Sequence, residues 1–175
     1  PAYELLRSEL GEINIEGAAV IGDRLRLLNR GNKGGANAVC DLSLEQVERS
    51  LHSDLEIDPH EVLDVQPYEL GELNGVPIYF SDGAPMPDGR VVFTASAERD
   101  DPAEGEDEIE GSVVGVIEAD GSVRRLRTID RRWKVEGVHA TIDTGVVDML
   151  FCCDQDDPDH GSPLLLATMP LGPGE

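Results

Sequence analysis

Three acid–glycine pairs stand at the head of three similar segments: Glu16-Gly17, Asp82-Gly83 and Glu136-Gly137. If a repeated fold brings Glu16, Asp82 and Glu136 to one axis, their carboxylates repel one another unless a cation sits between them. Hard oxygen ligands of this kind suit Ca²⁺ or Mg²⁺. The plainer alternative is that each acid accepts backbone N–H groups in a turn or pairs with a nearby arginine. Two residues earlier, on the same face of an extended strand, stand Asn14, Phe80 and Lys134. Lys134 would either hold an anionic ligand group or form an ion pair with a neighbouring acid, and the ion pair is the simpler expectation. His139 follows Glu136 by three residues. As a general base it needs a partner within reach, and a histidine satisfied within its strand is the commoner case.

The stretch Asn29-Arg-Gly-Asn-Lys-Gly-Gly-Ala-Asn concentrates two bases and three glycines. Glycines let successive N–H groups form an anion nest, and Arg30 and Lys33, with Asn32 between them, would grip a phosphate or carboxylate. The stretch lacks the Gly-Lys-Ser/Thr ending of a Walker motif, and an ordinary glycine-rich hairpin explains it equally. The acid-rich loop from Asp154 departs from an EF-hand, because Pro158 occupies a ligand position and the distal Glu is missing. Cys152, Cys153 and His160 do not match zinc spacing. No Gly-x-Ser-x-Gly nucleophile elbow is present.

These residues lie on a repeat. The segments IEGAAVIGDRLRLLNRG, SDGAPMPDGRVVFTASA and VEGVHATIDTGVVDMLFCCDQ each run from the acid–glycine pair to a turn and then into an apolar strand. The turns are Gly22-Asp23, Asp88-Gly89 and Thr144-Gly145. A third apolar run follows at 36–42, 112–117 and 164–169, and the first two repeats add a fourth at 62–68 and 123–129. Four antiparallel strands per repeat is the pattern of a propeller blade. The expected fold is therefore all-β: one propeller-like domain with repeats over about 12–70, 72–130 and 131–170 and innermost strands at 15–19, 78–82 and 135–140. The spacing exceeds a minimal blade, so insertions are expected. Ser43-Leu-Glu-Gln reads as a capping box opening a short helix over 43–52. Residues 98–110 read as an anionic solvated loop. Tyr3, Leu6 and Leu10 have helical spacing ending at Gly11, although the last strand of a preceding blade fits the same stretch.

The charge is extreme, with 36 acidic against 14 basic residues and a formal net charge of −22. That excludes nucleic acid and anionic membrane surfaces as natural partners. It favours cations and basic partners, and it is equally the signature of a high-salt environment. The three cysteines make no disulfide framework, so a reducing cytoplasm is expected.

The stretch ELGEINIEGAAVIGDRLRLLNRGNKGGANAV, followed by RWKVEGVHA, resembles the second half of an uncharacterised bacterial family of predicted six-bladed propellers. The likeness runs from about Tyr3 to Met169. The Glu-Gly opening is more distantly similar to the propellers called esterase-like phytases and SdiA-regulated proteins. The residues together lead to three expectations. The first is a propeller binding a small ligand or divalent cation at its channel mouth. The second, which the distant resemblance implies, is a metal-assisted phosphate or ester hydrolase, with the three acids on the cation and Arg30, Lys33 or Lys134 on the anion. The third is a protein-interaction scaffold. Three blades cannot close a ring that needs about four or more. The third repeat also ends in a Pro- and Gly-rich tail, so its missing strand is expected from a longer parent chain or from a second copy in a head-to-tail dimer.

Overall fold

Apolar–polar alternation interrupted by tight turns folds each repeat into an antiparallel meander. Residues 1–32, 34–53, 56–100, 107–155, 159 and 161–170 are described in a computed structural model of the chain. The chain divides into two compact units, Pro1–Leu70 and Gly71–Glu175. No helix among the described residues is long and apolar enough to cross a membrane.

The first unit opens with helix α1 (Ala2–Leu10), which buries Ala2, Leu6 and Leu10 and stops at Gly11. Gly11 has φ 84°, a left-handed value that suits glycine at a helix end. The sheet follows as β1 (Ile15–Ile21), β2 (Arg24–Asn29), β3 (Ala38–Ser43) and β4 (Val62–Pro67), paired in chain order. Helix α2 (Leu44–His52) is inserted between β3 and β4, where a helix was expected. The capping box does not form, since Ser43 precedes the helix without a side-chain cap bond. Leu6, Leu10 and Val47 pack on Ala38, Cys40 and Leu42, so α1 and α2 cover one face of the sheet. Leu6 and Leu42 are each 1% exposed, and each such burial contributes about 1.5–3 kcal/mol. The same burial pushes the Cys40 thiol up to about 12.

On the opposite face of β3 lies Asp41, 3% exposed. Arg26 clamps it with two hydrogen bonds, Nε to Oδ1 at 2.7 Å and Nη2 to Oδ2 at 2.8 Å, and Arg24 adds a third at 3.1 Å. Burial works against the charged carboxylate, but the bonds and charges of Arg26 and Arg24 together outweigh it and hold Asp41 below its ordinary pKa.

The second unit holds two sheets and a two-stranded hairpin. The hairpin pairs β5 (Glu72–Leu73) with β6 (Val76–Pro77) around Asn74-Gly75, both at positive φ as a type I′ turn requires. The four-stranded sheet is β7 (Tyr79–Pro85), β8 (Val91–Asp100), β9 (Asp107–Ile117) and β10 (Val123–Asp130), again in chain order. The three-stranded sheet is β11 (Val135–Asp143), β12 (Val146–Cys153) and β13 (Leu164–Pro170). The three antiparallel meanders follow the expected strand pattern.

One expectation is corrected. Residues 98–100 and 107–110 are not a solvated loop but the far ends of β8 and β9, paired out to Asp100 opposite Asp107. Arg99 bonds Glu110 at 2.7 Å across that ladder, which relieves part of the acid crowding. Residues 101–106 lie outside the described residues. The core of this unit lies between the two sheets, where Ala84, Met86, Val92, Val114 and Val116 meet Val135, Ala140, Val147, Met149 and Phe151.

Arg26→Ala should lower stability by about 3 kcal/mol, because a buried carboxylate loses its bidentate partner. Asp41 has a depressed folded-state pKa, so its contribution is present above the ordinary carboxylate value of about 3.9 and lost as pH falls through the folded value. Urea unfolding at pH 7 and at progressively lower pH should show wild type converging on Arg26→Ala in acid.

Candidate functional site

The polar end of the second unit is built by strand alternation. Val92, Thr94, Ser96 and Glu98 occupy alternate positions of β8, and Val92 belongs to the core facing the three-stranded sheet. That face therefore passes from apolar to hydroxyl to carboxylate along one strand. Across the ladder, Ser112 of β9 pairs in register with Ser96.

These groups meet the start of β11. Ser112 Oγ donates to the Trp133 carbonyl at 3.0 Å and accepts from the Val135 N–H at 3.1 Å. Asp82 Oδ2, from β7, accepts from the Val138 N–H at 2.9 Å. Ser81 Oγ donates to Ser96 Oγ at 3.4 Å, and Ser96 Oγ donates to Glu98 Oε1 at 2.6 Å. Glu98 Oε2 lies 3.7 Å from Lys134 Nζ, and Lys134 Nζ lies 3.4 Å from Glu136 Oε1. The side chains of Glu98, Lys134 and Glu136 are 8%, 19% and 25% exposed. The result is a half-buried chain of hydroxyl, carboxylate, ammonium and carboxylate groups. Gln155 fixes the lysine backbone, accepting from Lys134 N–H at 2.9 Å and donating to the Arg132 carbonyl at 2.7 Å.

A β-bulge stands near the start of each meander, and it corrects the equivalence of the three acids. In β1 the register passes from Ile15 opposite Asn29 to Gly17 opposite Leu28, leaving Glu16 as the extra residue. In β11 the extra residue is Glu136, between Val135 and Gly137. In β7 it is Ser81, between Phe80 and Asp82. Asp82 thus takes the register position of Gly17 and Gly137. A bulge re-aims one side chain, so a one-residue offset sends Asp82 elsewhere: its carboxylate reaches β11, within 3.6 Å of where a Cβ on Gly137 would stand. Burial raises the Asp82 pKa against the lowering effect of the Val138 and Gly83 N–H bonds. Like-charge crowding is not among its causes. Thr94, opposite Asp82 in the ladder, is fully buried, and its hydroxyl has no hydrogen-bond partner among the described residues.

The other expected site residues fall in different places. Glu16 is exposed and accepts from Asn14 Nδ2 at 2.8 Å; the same amide donates to Asn32 Oδ1 at 3.3 Å. Arg30 is buried at 6% exposure. The N–H groups of Gly31, Gly35 and Ala36 donate to Asn37 Oδ1, the Asn32 carbonyl and the Leu10 carbonyl. They are spent holding the loop closed rather than cradling an anion. Gly31 is needed there, since a Cβ would come within 2.2 Å of the Asn37 nitrogen. Lys33 and His160 lie outside the described residues. His139 is exposed on the outer face of the three-stranded sheet, in register with Leu150. Among the described residues no group of three His, Cys, Asp or Glu side chains is arranged to hold a metal ion.

Sequence reasoning named Lys134, Asp82 and Glu136 but missed Ser81, Ser96 and Glu98. Extending the alternation of β8 beyond Ser96 would have found Glu98.

The fold defines a largely β protein of antiparallel meanders with a polar seam between two of its sheets. The chain belongs to a family of unknown function (DUF6910), whose model matches residues 1–158. No curated protein matches the sequence.

Asp82→Ala should cost about 1–3 kcal/mol, because the Val138 N–H loses its acceptor. Asp82→Asn keeps an acceptor and removes the charge that burial penalises, so it should cost less. The folded-state pKa of Asp82 is raised, so the wild-type contribution is fully present below the ordinary carboxylate value and is lost as pH rises through the folded value. Denaturation curves across that window should move wild type closer to Asp82→Asn with rising pH.

Proposed function

We propose that this chain carries blades of a propeller-type β protein, and that it binds a small polar ligand at the seam of Glu98, Lys134 and Glu136. Support for the blade reading comes from three meanders that each begin with a bulged strand, and from the Asp82 bond that ties β7 to the next first strand, β11. In such folds the first strands line the centre, and ligands bind where their ends carry polar groups.

The observation that carries the ligand reading is the ammonium held between two half-buried carboxylates, next to a serine pair. It offers both signs of charge within one hydrogen-bonding reach. Such a set matches a zwitterion or a polyol better than a simple anion, because the lysine is already neutralised. It also matches these better than a bare divalent cation, because the ammonium stands where that cation would sit. Among the described residues no three acids are grouped to hold a metal ion, as the hydrolase expectation needs, and the Ca²⁺ or Mg²⁺ expectation is kept as the competing arm of the test.

Thermal-shift and calorimetric titration should be run with neutral amino acids, sugar polyols, CaCl₂ and MgCl₂. Amino acids or polyols should bind, and Lys134→Met should weaken that binding about tenfold or more while leaving the protein folded. Binding of Ca²⁺ or Mg²⁺ that survives or improves in Lys134→Met would replace this reading with the cation site. No response to any probe would remove it.

A further inference from the structure

The outer face of the three-stranded sheet carries large apolar side chains into solvent. Leu150 is 39% exposed, Leu164 68% and Leu166 84%. Cross-strand register sets His139, Leu150 and Leu166 in one row and Thr141, Asp148 and Thr168 in the next. They line a shallow hollow of about 380 Å³. In a chain of net charge −22, this hollow holds one acid and one base, Asp148 and His139. Charge depletion around apolar side chains is the composition of a protein interface core, not of a solvated surface. β12 shows the same pattern in sequence: Val147, Met149 and Phe151 fill the inner core while Leu150 points outward.

We infer that this face pairs with itself in a second copy of the chain, giving a twofold dimer. The argument is its self-complementarity. His139 and Asp148 are diagonal neighbours, one strand and one row apart, or roughly 8 Å given strand spacing and rise. A twofold axis lying in the face midway between them sets each copy's His139 over the other's Asp148. By the same register, that axis runs past Leu150 and Leu166, so each leucine meets its own counterpart. Asp148 is already held in place by Thr168 Oγ1 at 2.6 Å. A self-complementary face pairs isologously.

Light scattering and sedimentation on the full chain should give twice the 18.9 kDa chain mass. His139→Asp sets acid over acid and should weaken the dimer about tenfold or more. The double variant His139→Asp with Asp148→His restores an opposed pair and should restore the dimer. Because a surface change can disturb folding, a second readout is independent of charge. Leu166→Cys in a Cys152→Ser background should cross-link under mild oxidation, whereas Leu63→Cys in the same background should not. A monomer at every concentration tested would overturn the inference. So would a dimer indifferent to His139→Asp, or one that fails to cross-link through position 166.

Discussion

Alternation along β8 decides which end of the second unit is dry and which is polar. Every second residue faces the neighbouring sheet, and those residues are Val92, Thr94, Ser96 and Glu98. Val92 closes the apolar core against Met149 and Phe151. Four residues further, Ser96 joins Ser81 to Glu98. Once Glu98 is carried into the seam, a cation must accompany it, because an unpaired half-buried carboxylate is expensive. Lys134 supplies that cation, and its own surplus of neighbouring acid is Glu136. The polar chain follows from one strand's period and one charge balance.

The bulges act on the same seam. Each places an extra residue early in a first strand, and in β11 that residue is Glu136. In β7 it is Ser81, which frees Asp82 to cross to the Val138 amide. At the point of approach stands Gly137, where a Cβ would come within 2.4 Å of Cys152 Sγ and 3.6 Å of Asp82 Oδ2. A repeat that looks threefold in its acid–glycine pairs is therefore twofold in its bulge acids, and the middle repeat uses its acid for a different purpose.

Much of the strand order was legible, because hairpin turns such as Thr144-Gly145 and apolar runs such as 112–117 are local signals. The helices at both expected places were legible for the same reason, through the spacing of Leu6 and Leu10 and of Leu44 and Val47. The Lys134–Glu136 pair was legible from alternation. The offset of Asp82 was not, since a bulge is set by pairing with a partner strand and leaves no mark in one strand's residues. The extension of β8 and β9 past Ala97 was hidden by composition: acids at 98–110 resemble a solvated loop until Arg99 and Glu110 are seen to face each other across a ladder. In the loop read as a nest, the Gly31, Gly35 and Ala36 N–H groups bond to Asn37 Oδ1 and to the Asn32 and Leu10 carbonyls, partners that no local spacing reveals.

Amide hydrogen exchange on the intact chain tests the seam most directly. Val135 and Val138 donate to side chains, Ser112 Oγ and Asp82 Oδ2, rather than to a strand partner. Both amides should exchange as slowly as those of the central ladder between β8 and β9, and Asp82→Ala should release Val138 while leaving Val135 protected. Exchange of Val138 at the rate of an open loop in the wild-type chain would contradict the seam and the site built upon it.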